Sequence, residues 1–339
     1  MQAWFLTGPG ALELRDVPDP QPGPHEAVVK VEAVGICGSD AECFAGKHPL
    51  PNYPRLPGHE FSGVVAAVGP AWEGVPVGAR VAADPAISCG RCYACRQGRH
   101  NCCVEVSIAG VHRPGAMAEY ALCRASQLYP MPDAVSFEAG ALVETLSIGA
   151  QAVHRAGVKA EDRVVILGGG PIGLCALVMA RHAGAAVLLA EPLSWRLALG
   201  EDLGAEVCVN PAVDSVSDAV QEFTGGYGAH VVVDATGEPS AAESSLALVG
   251  SAGRVVILTL SEEPIRVRPW QLVRQELTIL GSRLTLADLT ELLALAASGE
   301  APLERLATHR YSLADAERAF RAACERPEGM VKAVVLPHA

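Results

Sequence analysis

The stretch "RVVILGGGPIGLCALVMARHAGAAVLLAE" (163–191) decides the fold. An apolar run, 163–167, leads into Gly168, Gly170 and Gly173 in G-x-G-x-x-G spacing. Pro171 suits the first turn of a helix, where a missing N–H costs nothing. Ile172 follows it between the second and third glycines of the turn. A helical segment and a second apolar strand (186–190) come next, ending at the acid Glu191. Glycines alone are weak evidence. Strand, glycines, helix, strand and acid in this order are the signature of a dinucleotide site, with the pyrophosphate at the helix N-terminus and the acid on a ribose.

Outward from this unit the alternation continues. Strands are expected at 205–210, 229–237, 253–260 and 276–283, and helices at 194–203, 215–223 and 239–248. Strands alternating with helices imply a doubly wound parallel sheet. Gly200 inside the first of those helices costs about 1 kcal/mol relative to alanine. Further on, 286–297 and 313–325 read as helices and 329–337 as a final strand. Toward the N-terminus, "EAVVKVEAV" (26–34) and "FSGVVAAVG" (61–69) read as strands from their β-branched content.

The chain has 339 residues, which suits two domains. Half of them are hydrophobic and 19% are charged, so a packed core offsets the entropy of ordering. A net charge of −12 argues against nucleic acid and membrane surfaces as partners. The longest apolar run, 164–180, contains four glycines and a proline and ends at Arg181, so no membrane span is expected. The opening "MQAWFLTGPG" has neither the basic nor the apolar region of a secretory signal, and a cytoplasmic, reducing location is expected. Clustered cysteines in such a compartment favour metal over disulfides.

Two clusters qualify. "CGRCYACRQGRHNCC" (89–103) carries Cys89, Cys92 and Cys95 in C-x-x-C-x-x-C spacing. Cys102 and Cys103 compete for a fourth place, with His100 a weaker rival. Four thiolates close a zinc tetrahedron and leave no room for substrate, which is a structural arrangement. "GICGSD" (35–40) and "GHEFSG" (58–63) offer a different set: Cys37, His59 and the neighbouring Glu60. Three protein ligands leave a position open, which is the catalytic arrangement. Glu144, a carboxylate inside the apolar "ALVETLSIGAQAV", needs a partner if buried, and a metal is one.

Together with "PGHEFSGVV", "GAMAEYA", "ALVETLSIG", "VVILGGGPIG" and "VVDATG", these motifs resemble the zinc-containing medium-chain dehydrogenases, within them the sorbitol, threonine and butanediol dehydrogenase group. The resemblance spans essentially the whole chain. It implies an α/β protein with a GroES-like β-barrel catalytic domain, 1–147 and 285–339, and a Rossmann domain, 148–284. The structural zinc lobe would cover about 86–106. The lobe would use Cys89, Cys92, Cys95 and Cys103, leaving Cys102 spare. The catalytic zinc would sit on Cys37 and His59, with Glu60 and Glu144 as the remaining candidates, giving two zinc ions per chain. Ser39 would take the hydroxyl proton. NAD would lie on Gly168, Gly170, Pro171, Ile172 and Gly173, with Glu191 favouring it over NADP and Arg196 beside the adenine or on the helix surface. Arg254 is a more distant candidate for a 2′-phosphate.

The implied reaction is hydride transfer between NAD and a secondary alcohol of a small polyol, sugar acid or related hydroxy compound, in a homodimer or homotetramer. The alternatives are threonine 3-dehydrogenase-like oxidation of an amino acid and a non-catalytic zinc scaffold. Relatives often carry histidine five residues after the zinc cysteine; here Glu42 stands there. Thr145 likewise stands where relatives often have proline. Arg113 and Arg283 are candidates to meet a substrate carboxylate.

Overall fold

The structure, a computed structural model, describes residues 1–48 and 52–338. The chain divides into two units, Met1–Glu144 with Asp288–Ala339, and Thr145–Ala287. The division falls inside one long helix, Phe137–Ala156.

The second unit is a six-stranded parallel sheet. Its strands are Arg163–Leu167, Ala186–Ala190, Val207–Val209, Ala229–Asp234, Val249–Ile257 and Thr278–Gly281. Numbered along the chain, they lie in the order 3-2-1-4-5-6, all parallel. This is the dinucleotide-binding order, whose reversal lies between the first and fourth strands. Val164, Val165, Ile166, Leu188, Leu189, Val232 and Val233 are fully buried, as strands covered on both faces require. The fifth strand begins before the expected 253 because Val249 already pairs with Ala229 across a register irregularity. It stops at Ile257 because that residue pairs with Asp234, the last residue of its neighbour.

Gly200 has a packing reason. A Cβ there would lie 2.2 Å from Leu189 Cδ2, so the helix Ser194–Asp202 approaches the sheet only without a side chain at that point. The propensity cost is thus offset by close helix–sheet contact.

The first unit centres on the strand Glu26–Gly35. It pairs antiparallel with Glu60–Val68, Tyr120–Arg124 and Ala333–Leu336. Arg80–Ala83 and Leu128–Pro130 extend the sheet on one side and His309–Ser312 on the other. A hairpin, Gln2–Gly8 with Ala11–Asp16, forms a separate two-stranded sheet whose Ala3, Trp4 and Leu6 join the same core. Val29, Val31, Val34, Phe61, Met117 and Phe320 form the buried core. Strand register gathers three chain segments at one end of this sheet. Gly35 lies opposite both Glu60 and Val334. The segments following Gly35 and preceding the other two residues therefore converge.

Candidate metal centres and nucleotide site

In the lobe, one sulfur from each of Cys89, Cys92, Cys95 and Cys103 lies within 4.8 Å of the other three. Backbone amides already point at them. Cys103 Sγ accepts from the N–H groups of Cys89 and Glu105, both at 3.3 Å, and Cys89 Sγ from that of Cys92 at 3.4 Å. Donors aimed at sulfur favour the thiolate. Backbone N–H groups, chiefly that of Cys95, lower Cys92 to about 6. Cys102 faces elsewhere, 3.8 Å from Arg99 Nη2. Cys103 is the residue that joins the other three sulfurs, and four converging thiols suit a closed zinc site.

Cys37, His59 and Glu60 form the second group, with one ligand atom from each within 4.8 Å of the others. Cys37 is the N-cap of a short helix, Gly38–Phe44, that sequence reading missed; His59 and Glu60 stand where the strand Glu60–Val68 begins. Glu144 is not in this group. It is buried in the middle of the helix Phe137–Ala156, and burial lifts it to about 7 against the pull of His59.

Three further residues support the group, and none was singled out in the sequence. Asp40 is fully buried, with Oδ2 3.4 Å from His59 Nδ1 and Oδ1 accepting from Arg55 Nη2 at 3.0 Å. Burial pushes Asp40 up, against the pull of His59 and Arg55. Burial opposes charging His59, yet Asp40 and Cys37 hold it well above the ordinary imidazole range. Neither Asp40 Oδ2 nor His59 Nδ1 has a hydrogen bond, so the carboxylate acts on the ring through its charge at 3.4 Å and leaves Nε2 for a metal. Lys332 is buried and donates to Glu60 Oε1 at 2.5 Å. Burial opposes its charge, but Glu60 carries it to about 12. Glu60 Oε2 is buried without a hydrogen bond. Thiol, imidazole and a carboxylate oxygen lacking a partner are a donor set that fits zinc with a position open. The only sequence signal for Asp40 and Lys332 was a charged residue in an apolar context.

Ser39 is half-buried in the first turn of the Cys37 helix, and Glu42 is exposed on it. Arg113 donates to the Pro85 carbonyl at 2.7 Å, and Arg283 is exposed. Thr145 is buried, its hydroxyl without a hydrogen bond.

The glycine turn follows the expected logic. Gly168 has φ +97°, and a Cβ on Gly173 would lie 1.9 Å from the Gly168 carbonyl oxygen. A Cβ on Gly170 would meet nothing within 4 Å, which leaves open space over the helix Pro171–His182. Gly170 is that helix's N-cap and offers no side-chain cap, and Ile172 lies in its first turn. Open space and uncapped amides suit a pyrophosphate. Glu191 is buried and accepts from Gly169 N–H at 2.7 Å and Leu193 N–H at 3.0 Å. Arg196 Nη1 is 3.7 Å from Glu191, and its guanidinium lies 5.0 Å from the Trp195 ring. Arg254 is engaged elsewhere. It clamps Asp162 at 2.9 Å and the Ala156 and Gly157 carbonyls, near the amino ends of the strands.

Among the described residues no helix is long and apolar enough to cross a membrane. Family models match in two segments: an alcohol dehydrogenase GroES-like domain over 23–133 and a zinc-binding dehydrogenase over 171–298. A 2-dehydro-3-deoxy-L-galactonate 5-dehydrogenase of Pseudoalteromonas atlantica is 36% identical, covering 93% of this chain and 92% of its own. A Sinorhizobium meliloti protein assigned as a zinc-binding dehydrogenase from its sequence family, bound to NADP, superposes with TM-score 0.92 at 34% identity, covering 99% of each chain. A protein of Escherichia coli CFT073 described as a short chain alcohol dehydrogenase, complexed with NADH, does so with TM-score 0.92 at 30% identity, again over 99% of each. Two metal-type donor groups in one unit, a glycine turn in the other and this likeness along nearly the whole length have one common explanation: the chain belongs to the zinc-dependent medium-chain alcohol dehydrogenases, nicotinamide-linked oxidoreductases.

Proposed function

We propose that this dehydrogenase oxidises a secondary hydroxyl of a small polyol or sugar acid with NAD. The observation that carries the reading is the open donor group of Cys37, His59 and Glu60 in a chain that also holds a complete dinucleotide turn. The substrate class is supported by the galactonate-derivative dehydrogenase among the relatives. Zinc on Cys37, His59 and Glu60 would supply a Lewis acid that lowers the hydroxyl's pKa, and the nicotinamide would accept the hydride. The chain's own residues do the rest. Asp40 sets a carboxylate beside the His59 ring, and Lys332 holds Glu60 by a hydrogen bond. Glu144, buried in the helix Phe137–Ala156, is the remaining candidate carboxylate for this zinc or its water. We assign to Ser39 the first step of a proton relay, in which its hydroxyl accepts the substrate's proton while passing its own on toward solvent.

NAD is favoured over NADP because Glu191 would set a carboxylate against a 2′-phosphate. The NADP-bound relative makes this worth testing. Wild type should show the higher kcat/KM with NAD, and Glu191→Ser should erode the preference. A wild type favouring NADP would end that assignment. For the substrate, polyols, sugar acids and threonine are offered with NAD while NADH absorbance is followed. Turnover of threonine alone would replace the sugar-acid reading.

A cytoplasmic homodimer or homotetramer completes the proposal. Free cysteines throughout support a reducing compartment. The strand Thr278–Gly281, last in its sheet, and the exposed Trp270 and Val273 offer a surface for a second copy.

A further inference from the structure

Asp234 ends the fourth strand of the parallel sheet and is fully buried. Its register partner on the first strand is Leu167, the residue before Gly168. It therefore lies at the point where the strand order reverses, beneath the lip that faces the glycine turn. That lip is close: a Cβ on Gly168 would lie 3.0 Å from Ala235 O and 3.2 Å from Thr236 Cα.

The hydrogen bonds describe an ionised carboxylate. Oδ1 accepts from Thr236 N–H at 3.2 Å and from the Thr236 hydroxyl at 2.7 Å. Oδ2 accepts from the Thr259 hydroxyl at 2.6 Å. Thr236 Oγ1 itself accepts from Glu238 N–H at 3.0 Å, so its proton is free to point at Asp234. Both oxygens are met by groups able to donate, one of them a backbone N–H that can only donate, which is the setting of a carboxylate. Among the described residues no cationic side chain forms an ion pair with it. A buried charge held only by neutral donors keeps its field, because neither a counter-charge nor water screens it.

The two halves of this fold each take one nucleotide. Glu191 follows the second strand, so the adenosine belongs to the half formed by strands one to three. The nicotinamide then falls to the half that contains Asp234 and Thr259. The oxidised ring is a cation and the reduced ring is neutral. We propose that Asp234 is a positioning residue whose buried charge favours the oxidised over the reduced cofactor, poising the site for alcohol oxidation. The inference rests on the nicotinamide-linked reading of this unit.

The test is calorimetric titration of NAD and NADH into the zinc-loaded enzyme. Asp234→Asn keeps the shape and removes the charge. It should weaken NAD more than NADH, raising the ratio of their Kd values roughly 4- to 16-fold. That range corresponds to a unit charge roughly 10–20 Å away at an effective dielectric of about 20. Asp234→Ser, a second neutral variant that can still meet Thr236, should move the ratio the same way and serves if the amide does not fold. Thr259→Val keeps the charge and breaks a hydrogen bond, so it should move both affinities together and leave the ratio near wild type. Neutral variants that weaken both cofactors equally, or a ratio that moves in Thr259→Val, would reduce Asp234 to a structural clamp and overturn the proposal. A wild type that binds neither cofactor would instead refute the nicotinamide reading on which it rests.

Discussion

The cysteine lobe and the Cys37 group use similar donors but gather them by different means. The lobe takes four thiols from a single short segment, and its supporting amides come from that same segment. The Cys37 group draws on the end of one strand and the start of another, with Lys332 arriving from the far end of the chain. A site closed by local chain can be complete before the domain is. A site closed by sheet register exists only once the sheet has formed, and it carries buried charges that must be paired. The first arrangement suits stability. The second suits chemistry, because its ligands and their supports are held by a packed core.

The sharpest way to break the comparison is Cys37→Ser. Losing the open site's thiolate removes several kcal/mol of transition-state stabilisation, so turnover should fall by at least about 10³-fold. The fold and one zinc per chain should remain, by circular dichroism and metal analysis. Loss of both zinc ions would show that the two sites are not independent.

Lys332→Met comes next. It leaves Glu60 buried and unpaired, and removing one partner of a buried ion pair costs about 3–5 kcal/mol. Denaturant unfolding of the metal-free protein should show that loss, and an unchanged midpoint would mean that the pair carries no weight.

Within the lobe, Cys103→Ser and Cys102→Ser should differ. The first should remove the structural zinc and lower the thermal midpoint, while the second should leave zinc content at the wild-type value. Equal zinc loss from both would refute the choice of Cys103.

Asp40→Asn probes support of the open site. Loss of such a partner weakens metal affinity by about 10–100-fold. Chelator competition should find that weakening at one of the two zinc sites only.

The smallest effect is expected of Glu42→Gln. Glu42 is exposed, so the pH profile of turnover should superimpose on that of wild type. A displaced profile would bring Glu42 into the proton path.

Much of the nucleotide unit was legible from residue order alone. A glycine turn must follow a strand and precede a helix, and the acid must close the next strand, because local backbone geometry imposes those positions. The parallel sheet's strand positions followed from continuous apolar runs, since strands buried on both faces have little else to offer. Short elements escaped: the helices Gly38–Phe44 and Pro269–Gln275 have too few turns to show a periodicity. The second strand of the hairpin, Ala11–Asp16, has no buried residue and so no buried alternation to read.

By itself the sequence determined which chemistries were available: thiols at loop spacing, an imidazole beside a carboxylate, and glycines where a backbone must come close. These depend on neighbours along the chain. Spacing along the chain left Cys102 and Cys103 open and the resemblance implied Cys103; tertiary structure brings Cys103 to the other three sulfurs and Glu60 to Cys37 and His59. It also decided that Arg254 clamps Asp162, and that Asp40, Lys332 and Asp234 are buried with the partners they have. A charged side chain reads the same in a sequence whether it faces water or a core. Its role is set by desolvation and by what the sheet register brings opposite it, and both arise only when distant segments pack.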